Sequence, residues 1–224
     1  MNLSLHGEVL ELLSERALWW PRAATLFVAD LHLGKATAFR TLGQPVPAGT
    51  TADNLARLSA LVDRHAPCHV VFLGDFLHAP AANVPHVLEP VARWREAHAG
   101  VQLTLVRGNH DLRAGDPSAE LGMAVVDEPF DLAPFAACHH PQRVPQRTVV
   151  AGHWHPAAVL SGPAHDAMRL PCFALTADES LLVLPAFGAF TGATVKPLPH
   201  DARRFAVGGG KVWAVPGRKR SALR

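Results

Sequence analysis

Thr25-Leu26-Phe27-Val28-Ala29 is an apolar run with no polar face, and Asp30-Leu31-His32 follows it directly. A strand that is apolar on both sides must be covered on both sides, as in the interior of a parallel sheet. His69-Val70-Val71-Phe72-Leu73 is a second run of this kind and ends at Gly74-Asp75. Val101 to Val106 is a third, ending at Arg107-Gly108-Asn109-His110-Asp111. Helical patterns lie between them. Thr51 reads as the cap of a helix with Leu55, Leu58, Leu61 and Val62 on one face, closed by Pro67. Pro85 opens another, with Val87, Leu88, Val91 and Trp94 at helical spacing; Pro90 must bend it or delay its start, and Gly100 suits its C-terminal cap. Thr41 to Thr50, with its Gly and Pro residues, reads as a loop. The alternation predicts an α/β fold with right-handed crossovers, whose ligand edge lies at the carboxyl ends of the strands.

The flanks add strands. Leu3 to Leu5, Glu8 to Leu13 and Ala17 to Trp20 precede the first run. In the second half, Phe135 to Cys138 ends at His139-His140-Pro141, and Thr148 to Ala151 ends at Gly152-His153-Trp154-His155. Short strands around Ala157 to Leu160, Met168 to Ala174 and Ser180 to Leu184 follow, and a hairpin turns at Gly208-Gly209-Gly210. This predicts a second, mainly antiparallel sheet packed on the first. No repeat or linker interrupts the chain, so residues 1–224 read as a single domain, and the apolar fraction of 49% supplies a core. No apolar run reaches the roughly 18 residues of a membrane span. The N-terminus lacks a signal-peptide pattern, and the scattered Cys68, Cys138 and Cys172 suit a reducing compartment. The expectation is a soluble, cytoplasmic protein without a membrane partner. A net charge of +2 does not identify a nucleic-acid partner; the charge collects in Arg203, Arg204 and a short basic C-terminal tail of Arg218, Lys219, Arg220 and Arg224.

The chemistry sits at the strand ends: Asp30 and His32, Asp75, Asn109, His139 or His140, and His153 with His155. In an extended segment residues two apart point to one side, so Asp30 and His32 can grip one ion together, as can the region of His153 and His155. Asp75, alone at its strand end, can bridge two ions. Asn109 offers a neutral oxygen, His110 a group that titrates near neutrality, and Asp111 a carboxylate to hold that imidazole in one tautomer. Nitrogen and oxygen ligands without thiolate suit Mn, Fe, Zn or Co better than Mg or Ca. Two such ions activate water and stabilise the oxygens of an in-line phosphoryl displacement.

Asp30-x-His32, Gly74-Asp75, Gly108-Asn109-His110-Asp111 and Gly152-His153-x-His155, in this order and each after a strand, resemble the calcineurin-like metallophosphoesterase superfamily. The resemblance implies a four-layer αββα sandwich with a dinuclear site. It implies that Asp30, His32 and His155 hold one ion, that Asn109, His139 and His153 hold the other, and that Asp75 bridges them. His110 would contact the scissile phosphate and protonate the leaving oxygen, with Asp111 orienting it, after attack by a metal-bridging hydroxide. The superfamily has one histidine before its final motif where this chain has two. His139 directly follows the apolar run and is preferred, leaving His140 at the rim or as a bystander.

The context Thr25 to Lys35, with Phe39-Arg40, Gly43-x-Pro45, Ala17 to Pro21 and Gly188-x-Phe190-Thr191-Gly192, is similar to a bacterial subfamily, the ligase-associated DNA damage response endonucleases of the PdeM group. That implies Mn-dependent phosphodiesterase activity, a DNA or nucleotide phosphodiester substrate, and a functional link to an ATP-dependent DNA ligase and a DEAD/DEAH helicase. Phosphomonoesterase or small-nucleotide hydrolase activity is the rival, and a non-catalytic binding subunit of the same fold a remoter one. Lys35, Arg40 and Arg107 stand beside the motifs and read either as contacts to substrate phosphate or as solvated charges. Trp154, between two ligands, suits packing beside the site.

Overall fold

The computed structural model describes every residue except 47–48, 83, 162–166, 190, 193–198, 200 and 217–224. The basic tail, Arg218 to Arg224, and Phe190 lie outside the described residues. The chain opens with β1 (Asn2–Leu5), β2 (Glu8–Leu12) and β3 (Ala17–Trp20), each antiparallel to the next, and β4 (Thr25–Val28) lies antiparallel to β3. Then follow α1 (Lys35–Thr41), α2 (Thr50–His65), β5 (His69–Phe72), α3 (Pro85–Ala97), β6 (Gln102–Val106), α4 (Asn109–Ala114) and β7 (Met123–Val126). The seven strands form one sheet in chain order, parallel from β4 to β7.

Alternation along the central strands explains their all-apolar sequence. Leu26, Val28, Val70, Phe72, Leu103 and Leu105 pack with Leu58 and Leu61 of α2 and Val87, Val91 and Trp94 of α3. Phe27, Ala29, Val71, Leu73 and Val106 face the other way, into a core shared with the second sheet. Burying a large apolar side chain of this kind contributes about 1.5–3 kcal/mol.

The second sheet contains β8 (Phe130–Leu132), β9 (Phe135–Cys138), β10 (Thr148–Ala151), β11 (Ala157–Ser161), β12 (Ala167–Leu175), β13 (Leu181–Val183), β14 (Arg203–Gly208) and β15 (Lys211–Val215). Its order is β15-β14-β12-β13-β10-β9-β8, with β11 paired to β12. β9, β10 and β13 are parallel and the other pairings antiparallel. Phe135, Val150, Phe173, Leu182 and Phe205 supply its side of the shared core. Its outer face, with Ala136, Cys138, Val149 and Val183, is covered by Val144 and Trp154 from irregular segments, and among the described residues no α-helix follows α4.

Several local readings are corrected. Lys35–Thr41 is a helix entered through Gly34 at φ +74°, too short to show a periodic stripe. Gly49, at φ +85°, precedes α2, so Thr51 sits inside that helix and does not cap it. α3 begins at Pro85 and runs through Pro90; its cap is His98, not Gly100. Asn109-His110-Asp111 is the first turn of α4, where the sequence suggests a tight turn.

Candidate metal centre

β4, β5 and β6 run parallel in one sheet, and β9 and β10 in the other, so their carboxyl ends converge at one edge of the sandwich. Backbone groups tie the two edges together. The His153 N–H donates to both oxygens of Asp30, at 3.1 and 3.0 Å, and His139 Nδ1 donates to the Leu73 carbonyl at 3.0 Å.

Around Asp75 the donor atoms of the residues read from the sequence fall into two groups; beside them, His78 and His110 cluster with His32, and His140 with His139 and His153. In the first, the ligand atoms of Asp30, His32 and His155 lie within 4.8 Å of one another. His155 Nε2 is 3.4 Å from Asp30 Oδ1, and His32 Nε2 is 3.6 Å from Asp75 Oδ2. In the second, His139 Nε2 lies 3.0 Å from Asn109 Oδ1, 3.1 Å from His153 Nδ1 and 3.5 Å from Asp75 Oδ1. Each oxygen of Asp75 therefore faces a different group.

Tautomers test whether metal fits. His155 Nδ1 donates to the Gly192 carbonyl at 3.1 Å, so in the neutral ring Nε2 carries the lone pair, aimed at the Asp30 carboxylate. His139 Nδ1 is spent on Leu73, so its Nε2 also presents a lone pair, towards the oxygens of Asn109 and Asp75. A backbone carbonyl on the far nitrogen is the usual second-sphere support of a ligating imidazole. The buried Nε2 atoms of His32 and His155 have no hydrogen-bond partner among the described residues. Lone pairs facing carboxylate oxygens repel unless a cation lies between them, and this nitrogen and oxygen set suits divalent ions such as Mn, Fe or Zn. Burial, then the charge of Lys35, holds His32 far below the usual imidazole range, in the neutral form that ligates. Burial pushes the Asp75 carboxyl up, a shift that a bound cation opposes.

The backbone is bent to make this possible. Asp30, His32, Asp75, His153 and His155 have φ of +53°, +47°, +51°, +64° and +45°. Left-handed conformations cost non-glycine residues about 1–3 kcal/mol and cluster at functional sites. Asp30 and His32 thus meet through left-handed turns, and the extended alternation read from sequence does not apply. His153 and His155 do not share one group: His153 joins the second and His155 the first. The motif glycines leave room for ligands from neighbouring strands. A Cβ on Gly74 would stand 2.2 Å from His139 Nδ1, one on Gly108 2.5 Å from Asp75 Oδ1, and one on Gly152 2.7 Å from Asp30 Oδ2.

His110 stands beside both groups. Its N–H donates to Asp75 Oδ1 at 2.9 Å and its Nδ1 to the His78 carbonyl at 2.6 Å. The ring stacks on His78, with centroids 4.9 Å apart, and Nε2 lies 3.9 Å from Asp75 Oδ2. Asp111 has a different role from the one expected. Its Oδ2 accepts the Gly108 N–H at 2.9 Å and its Oδ1 the Leu77 N–H at 3.1 Å, so it fixes the start of α4 while the His78 carbonyl sets the tautomer of His110. Burial raises the Asp111 carboxyl to about 6, against the pull of those two N–H groups. His78 escaped the sequence reading, although a histidine three residues after Asp75 was a usable signal.

His139 is fully buried within the donor set, whereas His140 turns its Nδ1 to Glu128 Oε1 at 2.7 Å and sits half-exposed on the rim. Lys35 is half-buried, lies over the Phe39 ring at 5.8 Å and lines a small polar pocket with His32, Thr51 and Thr191. Burial lowers its pKa against the attraction of Asp75 and Asp30. Arg40 is exposed in the last turn of α1. Arg107 is held by two carboxylates: Asp116 takes Nε and one Nη at 2.9 Å each, and Asp127 takes the other Nη. Trp154 packs on the outer face of the second sheet, as expected.

The family model of the calcineurin-like phosphoesterases matches residues 24–158. Among solved structures, the chain is similar to the Pseudomonas putida nuclease MPE, with a TM-score of 0.84 and 42% identity over 96% of this chain and 99% of that one. No curated protein matches significantly. The motif order read from the sequence, the paired donor groups at the sheet edges and these similarities converge: the chain belongs to the calcineurin-like phosphoesterase family and is a metal-dependent phosphoric ester hydrolase.

Proposed function

We propose that the chain is a dinuclear phosphodiesterase that acts on DNA as an endonuclease in repair. Manganese is the working metal, with Fe or Zn able to use the same ligands. In this reading the protein is cytoplasmic and works alongside an ATP-dependent DNA ligase and a DEAD/DEAH helicase, as one domain over residues 1–224. The observation that carries the two-ion reading is Asp75, whose two oxygens face separate donor groups at 3.6 and 3.5 Å. The similarity to a nuclease along nearly the whole chain supports the diester substrate. Two divalent ions held there would activate water and neutralise charge on the phosphate. The side chains do the rest. Asp30, His32 and His155 fix one ion, and Asn109, His139 and His153 the other. His110, with its Nδ1–H spent on the His78 carbonyl, turns Nε2 to the phosphate and, from its imidazolium form, gives the Nε2 proton to the leaving oxygen and is left neutral. Lys35 and Arg40 meet substrate phosphate from α1.

A hydrolysis screen tests this, using bis-p-nitrophenyl phosphate, the mono-ester and labelled DNA with Mn, Fe and Zn in turn. Diester and DNA cleavage with Mn is expected. Faster mono-ester turnover would replace the reading with a phosphatase or small-nucleotide hydrolase, and no rate with any metal would leave a binding subunit. Asp75→Asn is expected to remove most of the rate, and unchanged hydrolysis would exclude the dinuclear mechanism.

A further inference from the structure

One buried-edge carboxylate close to the site is not a ligand, yet it holds the segment that carries one. Glu128 lies between β7 and β8. Its Oε2 accepts the backbone N–H groups of His139 at 2.7 Å and of His140 at 2.8 Å, while its Oε1 meets His140 Nδ1 at 2.7 Å. The pairing of β8 with β9 ends at Phe130↔Ala137, two residues short of Glu128 and of His139. The carboxylate therefore supplies the acceptor just where the sheet ladder has stopped and the chain must turn into the site.

This fixes His139 from both sheets. Glu128 holds its backbone from the second sheet, and the Leu73 carbonyl of the first holds its ring through Nδ1. Nε2 is then aimed at Asn109, His153 and Asp75 without free torsion. The His140 ring, anchored on Oε1, packs against His139 and His153 at centroid distances of 4.6 and 4.5 Å and walls that side of the site. Three donors occupy the Glu128 carboxylate, which leaves it no role as a ligand but sets its charge behind the second donor group.

We propose that Glu128 is a positioning residue for the second half-site, tightening the ion held by Asn109, His139 and His153 while leaving the ion of Asp30, His32 and His155 untouched. The proposal rests on the two-ion reading above. Removing an outer-sphere partner of a ligand costs roughly 10–100-fold in metal affinity. A residue of merely structural importance would lower the melting temperature and weaken both ions together.

The test is Mn²⁺ titration of metal-free full-length protein by calorimetry, with electron paramagnetic resonance to distinguish a coupled pair from a lone ion. The unaltered chain is expected to bind two ions. Glu128→Ala should bind one of them roughly tenfold or more weakly and the other within about twofold, with loss of the coupled signal at limiting Mn²⁺. Glu128→Gln keeps an oxygen for the two amides and should fall between. His140→Ala keeps the backbone clamp and should hold the second ion more tightly than Glu128→Ala; an equal loss would overturn the clamp. Wild-type affinity for both ions in the Glu128 variants, or equal weakening of both, overturns the proposal. Where Glu128→Ala does not fold, Glu128→Gln decides by the same criteria. A single ion in the unaltered chain would instead overturn the dinuclear reading, an outcome visible before any variant is made.

Discussion

His110 and Asp111 are neighbours with separate work. The imidazole of His110 is oriented by the His78 carbonyl, and its ring lies within reach of His32 but outside the two sets that hold the ions in the proposed reading. His110→Ala should therefore keep full metal content and lose roughly 100-fold or more of the rate, the usual scale for a general acid. Elemental analysis beside steady-state kinetics checks this, and loss of metal would reassign the residue. Asp111 accepts two backbone N–H groups while fully buried. Asn at this position has one acceptor oxygen, so one buried N–H loses its partner at a cost of about 1–3 kcal/mol. Asp111→Asn should melt measurably lower without metal, and an unchanged melting temperature would show that the carboxylate does not hold the turn. The type of residue at each position was legible from the sequence; which atom each would face was not. Asp111 adjoins His110 in sequence, but the first turn of α4 points its carboxylate back to Gly108 and across to Leu77.

At the level of elements, each ligand turn borrows space from a glycine. Gly152 has no left-handed requirement, and its φ is not positive, so its restriction is steric: a Cβ would come within 2.7 Å of Asp30 Oδ2 and 3.0 Å of the Leu73 carbonyl. Gly152→Ala is expected to push Asp30 and β10 apart and to weaken Mn²⁺ binding roughly tenfold, as measured by calorimetry. Wild-type affinity would mean that the edge yields freely. The central strands were readable because burial on both faces removes polar residues from them. The two long helices were readable by their stripes, and Pro85 marked the start of α3, but the caps at Gly49 and His98 were not readable, since they depend on backbone conformation more than on side-chain type. α1 was missed because seven residues are too few to display a period.

Across the whole molecule, the donors of each group come from both sheets: Asp30 and His32 meet His155, and Asn109 and Asp75 meet His139 and His153. Ions bound there would link the two halves of the sandwich, and the folded state alone assembles the site. Saturating Mn²⁺ should raise the melting temperature, by the equivalent of about 2.7 kcal/mol at a hundredfold excess over Kd, and a chelator should reverse it. A melting curve indifferent to both would show that the metal does not bind the folded site.

The sequence by itself determined the strand–helix alternation, the placement of chemistry at strand ends and the candidate donor residues, because burial and glycine punctuation are local pressures written into composition. Only the tertiary structure decided how the donors divide between two groups. It also paired Arg107 with Asp116 and Asp127, gave the tautomer of His110 to His78, and placed Glu128 behind His139. Those outcomes depend on residues brought together from distant strands, on left-handed backbone at the ligands, and on which carbonyl or carboxylate reaches a donor first, none of which a linear pattern encodes.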